Sequence, residues 1–397
     1  MRKLRAGGLV EAISRGLSRE SFTFILVGLG FLLLYALTSG PKTDYNEHVL
    51  LANALLHGHT WINPTKDMEQ AIYRGHSYIV HPPLSAFFLL PIVAVFGPAL
   101  NQTAVCVVMG ALSCALAWRL TRILDSTSSR LWLMVFFGVG TTVWYEATLG
   151  NSWDFALVLS TLPTLLALSE IFGQSRPLVV GIFAGVAALA RYDLVLAWPF
   201  YLVILLVQHR WNGLKVFVGF ALATAVYVWF NEARFGTLND IALWVYARRD
   251  SWLQQDMHGG APFQLRFLAT NLHTLLFIGP VVDDRFPYIH PQMGGQALIL
   301  TSPAFLLALR PDFRKPVPLM LLLAACVSMG PSLLVYASGF MQFGTRYYVQ
   351  VFPFLFALMV LGVKERGLDQ LGKILIVFSV LLVTFGVWHI RTMGYGG

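Results

Sequence analysis

The residues able to do chemistry lie between apolar runs. Thr43-Asp44-Tyr45-Asn46-Glu47-His48 brings two carboxylates and an imidazole close together. If a helix begins here, Asp44, Glu47 and His48 share one face. A carboxylate partly withdrawn from water has a raised pKa and suits proton abstraction. The plainer role for Asp44 is a helix N-cap. In Tyr78-Ile79-Val80-His81-Pro82-Pro83-Leu84 the prolines set a rigid helix start whose free amides attract an anion. His81 then serves as a phosphate contact or as a capping and packing residue. Glu146 and Asp154 flank the end of an apolar run, beside Trp144, Tyr145 and Trp153 as interfacial belt residues. Arg191-Tyr192-Asp193 occupies a short turn, and Arg346-Tyr347 opens a further run. A guanidinium suits phosphate because its planar fork donates paired hydrogen bonds. The simpler roles are an Arg191–Asp193 ion pair and an Arg346 that snorkels to lipid headgroups.

The elements that must position these residues are membrane helices. Of the 397 residues 56% are hydrophobic and 12% charged, against about 25% charged in a soluble domain. No single core hides that much apolar surface, so lipid is part of the solvent. The net charge of +8 is carried by basic residues between apolar segments, not in blocks, which excludes nucleic acid as a partner. Cys106, Cys114 and Cys326 lie in apolar segments without CxxC spacing, as small buried residues. The basic N-terminus (Arg2, Lys3, Arg5, Arg15, Arg19) and the run from Ser21 to Leu37 read as a retained start-transfer anchor.

Eleven spans are expected, at 21–39, 100–120, 131–149, 154–172, 177–190, 194–208, 214–230, 296–309, 316–337, 346–363 and 372–390. The stretches 82–97 and 263–281 are expected as shallow or re-entrant helices. With the N-terminus inside, every inner loop then carries a basic anchor. These anchors are Arg119, Arg122 and Arg130; Arg176; Arg210 and Lys215; Arg310, Arg314 and Lys315; and Lys364, Arg366 and Lys373. The long loops fall on the outer face, where function concentrates. The expected organisation is a membrane module over 1–230 with a first outer loop at 40–99, a large outer loop at 231–295, and C-terminal helices at 296–397. There is no P-loop, Rossmann glycine fingerprint, HExxH or GxSxG. The inner halves of the spans hold almost nothing ionisable, which argues against a transport path.

The order of these features resembles the GT-C glycosyltransferases, multi-span enzymes that use polyprenyl-phosphate-linked sugars, and in particular their bacterial mannosyl- and aminoarabinose-transferase branch. Asp44 stands where that family keeps an acid after its first span, with Glu47 close by. The run Ala52-Asn53-Ala54-Leu55-Leu56-His57-Gly58-His59-Thr60-Trp61-Ile62-Asn63-Pro64, then Tyr73 and Tyr78, then His81-Pro82-Pro83-Leu84, is similar to a family stretch that ends in Lys-Pro-Pro-Leu. His81 replaces that lysine and is mostly uncharged at neutral pH. Asp154, or Glu146, matches the family's second acidic site, and Arg346-Tyr347 ahead of Pro353 its late Arg-Tyr.

The resemblance implies an all-α GT-C-like bundle in the plasma (inner) membrane with its active site on the periplasmic or extracellular side. It implies an inverting transfer from a polyprenyl-phosphate sugar to a hydroxyl on a glycan, lipid or protein. The catalytic carboxylates are then Asp44, Glu47 and Asp154. His81, Arg191, Arg346 and Tyr347 hold the donor phosphate. Glu146, Tyr78, Trp244 and His258 contact sugar or acceptor, with Trp252 and Asp283 in the same large loop. No cofactor is expected, although Asp44, Glu47 and Asp154 offer oxygens that a divalent metal would use. The competing reading is a polytopic transporter or lipid flippase. It requires polar residues at the bilayer midplane and broken helices paired between halves.

Overall fold

A computed structural model of the chain describes residues 19–65, 69–249, 261–336, 339 and 341–394. Eleven helices lie among the described residues up to Arg249: α1 (Arg19–Thr38), α2 (Glu47–Leu56), α3 (Leu84–Phe96), α4 (Gln102–Leu120), α5 (Thr127–Val139), α6 (Val143–Leu149), α7 (Ser152–Ile171), α8 (Pro177–Ala190), α9 (Trp198–His209), α10 (Val216–Phe235) and α11 (Ala242–Arg249). After it come α12 (Phe267–Leu276), α13 (Leu298–Thr301), α14 (Pro316–Ser328), α15 (Gly330–Leu334), α16 (Phe352–Arg366) and α17 (Gln370–Met393). Two small antiparallel hairpins interrupt them: β1 (Gln70–Tyr73) with β2 (His76–Ile79), and β3 (Val281–Val282) with β4 (Ile289–His290).

Among the described residues seven helical segments are long and apolar enough to cross a membrane: Glu20–Thr38, Gln102–Ile123, Ser152–Ile171, Tyr192–Phe235, Pro316–Leu334, Arg346–Arg366 and Gln370–Met393. The eleven expected runs are not all continuous helices, and local chemistry explains the difference. The run at 131–149 divides into α5 and α6 around Gly140. The run at 296–309 breaks at Ser302-Pro303 into α13 and a 3-10 turn, because proline has no N–H to continue the ladder. The runs at 194–208 and 214–230 belong to one 44-residue segment. Straight, it would span about 66 Å, twice the hydrocarbon thickness. It folds back instead at Arg210–Lys215, where a Cβ on Gly213 would lie 2.7 Å from the Leu205 backbone. The stretches at 82–97 and 263–281 form α3, of 13 residues, and α12, of 10. Both are too short to cross alone.

Small residues set the helix crossings. A Cβ on Gly219 of α10 would sit 2.0 Å from the Gly181 carbonyl carbon of α8. This backbone contact is the usual device where lipid supplies no hydrophobic drive between helices. On the other flank the Tyr35 hydroxyl of α1 donates to the Gly138 carbonyl of α5 at 2.6 Å. Phe136, Phe137, Phe155, Phe354 and Phe356 fill the centre, while Leu29, Leu33 and Leu37 of α1 face outward. Cys106 and Cys114 are buried; Cys326, expected to be buried, is exposed on α14.

The two ends of the bundle differ. One carries the short basic connections, closed by Arg176–Glu170 at 2.7 Å, Arg310–Asp369 at 2.9 Å and Lys315–Glu365 at 2.5 Å. The other carries the first loop with α2, α3 and the β1–β2 hairpin, the α6–α7 turn, the Arg191–Asp193 turn, the large loop and the segment before Arg346. The candidate residues named from the sequence that lie among the described residues belong to this second end. Val49, Leu51 and Ala52 of α2 are buried in the same core as Ala86 and Leu89 of α3. The apolar side of α2 therefore faces protein.

Candidate functional site

Gly150 turns the chain between α6 and α7. It ends α6 in the left-handed conformation (φ 66°), and a Cβ there would lie 2.5 Å from Thr103 Cα. No other residue fits both constraints. The tight turn brings Glu146, near the middle of α6, against Asp154 in the first turn of α7. Both are buried, at 0% and 1% exposure, and each carboxyl acts electrostatically on the other. Asn151 Nδ2 donates to Asp154 Oδ2 at 3.0 Å, and Thr43 Oγ1 donates to Asn151 Oδ1 at 2.5 Å.

The same turn holds the first loop. Ser152 Oγ and Gln102 Nε2 both donate to the Tyr45 carbonyl, at 3.0 and 3.2 Å. Tyr45 packs against Trp153 with ring centroids 4.9 Å apart and planes tilted by 51°. Helix α2 begins after Asn46, so Asp44 lies before it, exposed, and neither caps it nor shares its face. Glu47 and His48 are fully buried. His48 Nε2 donates to the Ser152 carbonyl at 2.8 Å. Burial, then the facing His81, holds His48 at a pKa of about 3. Burial also raises Glu47, with Ser152 as the opposing polar group.

The β1–β2 hairpin supplies a carboxylate that sequence reading missed. Its two-residue turn, Arg74-Gly75, has both φ angles positive, the geometry that matches strand twist. The register pairs Gln70 with Ile79, and Val80 N–H donates to the Glu69 carbonyl at 3.3 Å. Glu69 and His81 thus meet at the open end, with Glu69 Oε2 3.9 Å from His81 Nε2. His81 is buried, and desolvation with the Arg191 and Arg346 charges drives its pKa to about 3. It is neutral and offers an anion no charge. Glu69 is raised by desolvation, against the pull of Arg346 and Arg191. The signal for Glu69 was its position five residues before the Arg-Gly turn, mirrored by Val80 five residues after it.

Two arginines complete the cluster. Arg191, at the end of α8, donates through Nε to Gln350 Oε1 at 2.9 Å and through Nη2 to Asp193 Oδ2 at 3.1 Å. Gln350 Nε2 closes the triangle on Asp193 Oδ2 at 3.1 Å. The ion pair read from the sequence is present, and Gln350 was not foreseen. Arg346 is 9% exposed, so it is a core residue and not a snorkelling one. Its backbone N–H donates to Gln342 Oε1 at 3.0 Å, and its guanidinium lies 5.2 Å from the Trp153 ring. Both guanidiniums flank Tyr347, 5.7 Å (Arg191) and 5.8 Å (Arg346) from its ring centre. The Arg346 charge reaches Glu69, Glu146 and Asp154. An apolar cavity of about 330 Å³ begins one residue on, lined by Leu189, Tyr192, Trp198, Phe220 and Tyr227.

Other expected site residues lie apart. Tyr78 is buried in a satellite cluster with Ala71, Phe235 and Ala242, and its ring packs 5.0 Å from Phe235. Trp244 is half-exposed on α11, and α11 packs against β1. His258 and Trp252 fall outside the described residues. Arg234 lies in the last turn of α10. It donates to Ile79 O at 3.1 Å, Asn231 Oδ1 at 2.6 Å and Asp240 Oδ2 at 2.8 Å, clamping the hairpin to the end of α10. Among the described residues no group of three His, Cys, Asp or Glu is arranged to hold a metal.

The cluster combines paired guanidiniums on an aromatic platform, a ring of carboxyls and an adjacent apolar cavity. Such a site can bind an anionic headgroup and exchange a proton beside it. No protein-family model matches the chain, and no curated protein matches it.

Proposed function

We propose that the protein is a membrane glycosyltransferase of the GT-C type, built from about eleven crossings of the plasma membrane, with its site on the non-cytoplasmic face. It moves a sugar from a polyprenyl-phosphate donor to an acceptor hydroxyl. The observation that carries this reading is the pair Arg191 and Arg346, 5.7 and 5.8 Å from the Tyr347 ring centre and next to carboxyl groups at one end of an apolar bundle. A phosphate between the two guanidiniums would leave its lipid chain free to enter apolar surroundings. The cavity beside Tyr192 offers such surroundings. The gathering of ionisable groups at the helix ends favours transfer over transport, which needs them at the midplane.

In this reading Asp44, the exposed carboxylate of the first loop, takes the proton of the acceptor hydroxyl. The acceptor oxygen attacks the anomeric carbon, and the carbon–oxygen bond to phosphate breaks. The phosphate leaves with the electron pair, stabilised by Arg191 and Arg346, and the anomeric centre inverts. Glu47, Glu146 and Asp154 shape the pocket. No metal is required, because a phosphomonoester leaving group develops less charge than a diphosphate does. The large loop, 231–295, between the catalytic module (1–230) and the C-terminal helices (296–397) selects the acceptor.

The test is sugar release from a panel of polyprenyl-phosphate hexoses and pentoses by purified wild type, Asp44→Asn and Arg346→Met. Turnover by wild type, with near-complete loss in both folded variants, supports the reading and names the donor. Full turnover by Arg346→Met removes the phosphate site and with it the proposal. Full turnover by Asp44→Asn alone moves the base to Glu69 or Glu47.

A further inference from the structure

A second polar cluster stands apart from the carboxyl site. His290 ends β4, and His389 lies near the end of α17. His290 Nδ1 and His389 Nε2 are 2.9 Å apart. His389 Nδ1 lies 2.9 Å from the Gly394 carbonyl. His290 Nε2 lies 3.1 Å from Asp283 Oδ1 and 3.2 Å from the Arg285 carbonyl. Both rings are buried, at 9% and 1% exposure.

Counting donors decides the charge of this pair. A carbonyl has no proton, so His389 Nδ1 must carry one to bond Gly394. Asp283 accepts the Arg285 backbone N–H at 2.8 Å, and with that bond and His290 beside it its carboxyl is held below the usual range. It is a carboxylate, so His290 Nε2 must also carry a proton. The contact between the rings needs a third. Two neutral imidazoles bring one proton each, one fewer than these three contacts require.

We infer that His290 and His389 hold one excess proton between them, and that this proton latches the 281–296 loop to the last helix. The charge resides on His290, which faces Asp283; His389 is closed in by Phe385 and Trp388. Arg391, on the same helix, is turned away to the Thr148 carbonyl at 2.9 Å, and the Arg285 side chain acts on Asp283. The latched loop runs on to Arg346. Gln342 donates to the Met293 and Gly294 carbonyls at 3.3 and 3.0 Å. Thr345 Oγ1 donates to the Gln296 carbonyl at 3.2 Å, and Gln342 Oε1 accepts the Arg346 N–H. His290 and His389 are therefore positioning residues for Arg346. The consequence for anion binding rests on the function proposed above; the latch itself does not.

Removal of the excess proton leaves two lone pairs facing each other, or a lone pair facing Asp283 or the Gly394 carbonyl. The latch therefore holds at acidic pH and opens as pH rises through the range where imidazole titrates. The test uses full-length protein in lipid nanodiscs with ¹⁵N-labelled histidine, assigned by difference with His389→Gln. Amide exchange of the 281–296 loop is read as protection corrected for intrinsic rates. At about pH 5.5 the pair shows three protonated ring nitrogens, and at about pH 8.5 two. Loop protection falls between these values about tenfold to a hundredfold, the worth of one hydrogen bond to a charged group. His389→Gln offers His290 Nδ1 an amide N–H, so a neutral His290 keeps its own proton for Asp283; this variant abolishes the pH dependence while keeping the loop protected. Two protonated nitrogens at the acidic pH overturn the inference. So does equal wild-type protection at both pH values, or wild-type pH dependence in His389→Gln. None of these readouts involves sugar transfer, so they are independent of the proposed activity.

Discussion

Replacement of Arg234 by Met should free the β1–β2 hairpin. The Arg234 side chain is 1% exposed, and it pairs with Asp240, whose side chain is 12% exposed. It also packs over Phe230 and Phe235 at 4.2 and 4.6 Å. Methionine keeps most of the stem but strands the Ile79 carbonyl, Asn231 Oδ1 and Asp240 together. Breaking a buried pair by removing one partner costs about 3–5 kcal/mol. The Asp240 carboxylate keeps the Ala242 N–H at 2.9 Å and the Tyr192 hydroxyl at 3.3 Å, so the lower end of that range applies. The cost falls on local opening of the hairpin, because the helices on either side hold without it. A loss of about 3 kcal/mol raises the open population roughly a hundredfold. Arg74, exposed in the hairpin turn, supplies the probe. Tryptic cleavage after Arg74 requires the turn to open, and it tracks that population when reclosing is fast. Mass spectrometry of folded protein in detergent should therefore show cleavage at this bond faster by at least about tenfold in Arg234→Met. The double variant Arg234→Met with Asp240→Leu should recover part of the loss, because the unpaired charge is gone. Wild-type cleavage in Arg234→Met, or strict additivity in the double variant, would refute the clamp.

Three further outcomes follow from the geometry. Arg346→Lys should lower kcat/KM for a polyprenyl-phosphate donor by about 100- to 1000-fold, because a point charge cannot reproduce the planar fork against Tyr347 and Trp153; Arg346→Lys at wild-type activity would contradict the phosphate assignment. His48 and His81 have folded pKa values of about 3, below the ordinary value near 6.5, so the folded state binds fewer protons than the unfolded one. Their stabilising contribution is complete above about pH 6.5 and is lost as pH falls toward 3, a loss of several kcal/mol in total. Hydrogen exchange of α2 should therefore quicken on acidification, and a His48→Gln/His81→Gln double variant should flatten that response. Gly219→Ala drives a methyl group into the Gly181 backbone and should lower thermal stability by an overpacking cost of about 1–3 kcal/mol, read as a lower melting temperature in detergent; an unchanged melting temperature would mean that α8 and α10 cross elsewhere.

The parts of the fold that could be read in the sequence were those fixed by local chemistry. Long apolar runs without a breaker, such as 21–39 and 372–390, became single helices. Runs with an internal Gly140 or Ser302-Pro303 did not, because hydropathy counts apolar side chains and is blind to a missing N–H. Asp44 drew attention as an acid ahead of an apolar run, yet the helix begins after Asn46 and buries Glu47 and His48. The docking of the first loop on Ser152 and Gln102 decides that, and it joins residues 107 and 57 positions apart in the chain. Glu69 escaped notice for the same reason. It gains its place only when the hairpin closes and Arg234, well over a hundred residues away, grips Ile79. Arg191 and Arg346 were found as single residues, but their common platform on Tyr347 and the Gln350 bridge were not.

This division carries a physical lesson about the site. Each charged side chain was visible alone, since an ionisable residue beside an apolar run is conspicuous. What was hidden was the balance among them. Glu47, Glu69, Glu146 and Asp154 outnumber the two arginines at one end of the bundle, and both histidines are held neutral. Asp193 already satisfies part of Arg191, so Arg346 is the charge that the remaining carboxyls share. A site with this ratio tolerates an incoming phosphate only if some carboxyls are protonated. The raised pKa of Glu47 and Glu69 meets that need. Burial therefore does more than hold these acids in place. By suppressing their charge it leaves the field of Arg346 available to a ligand.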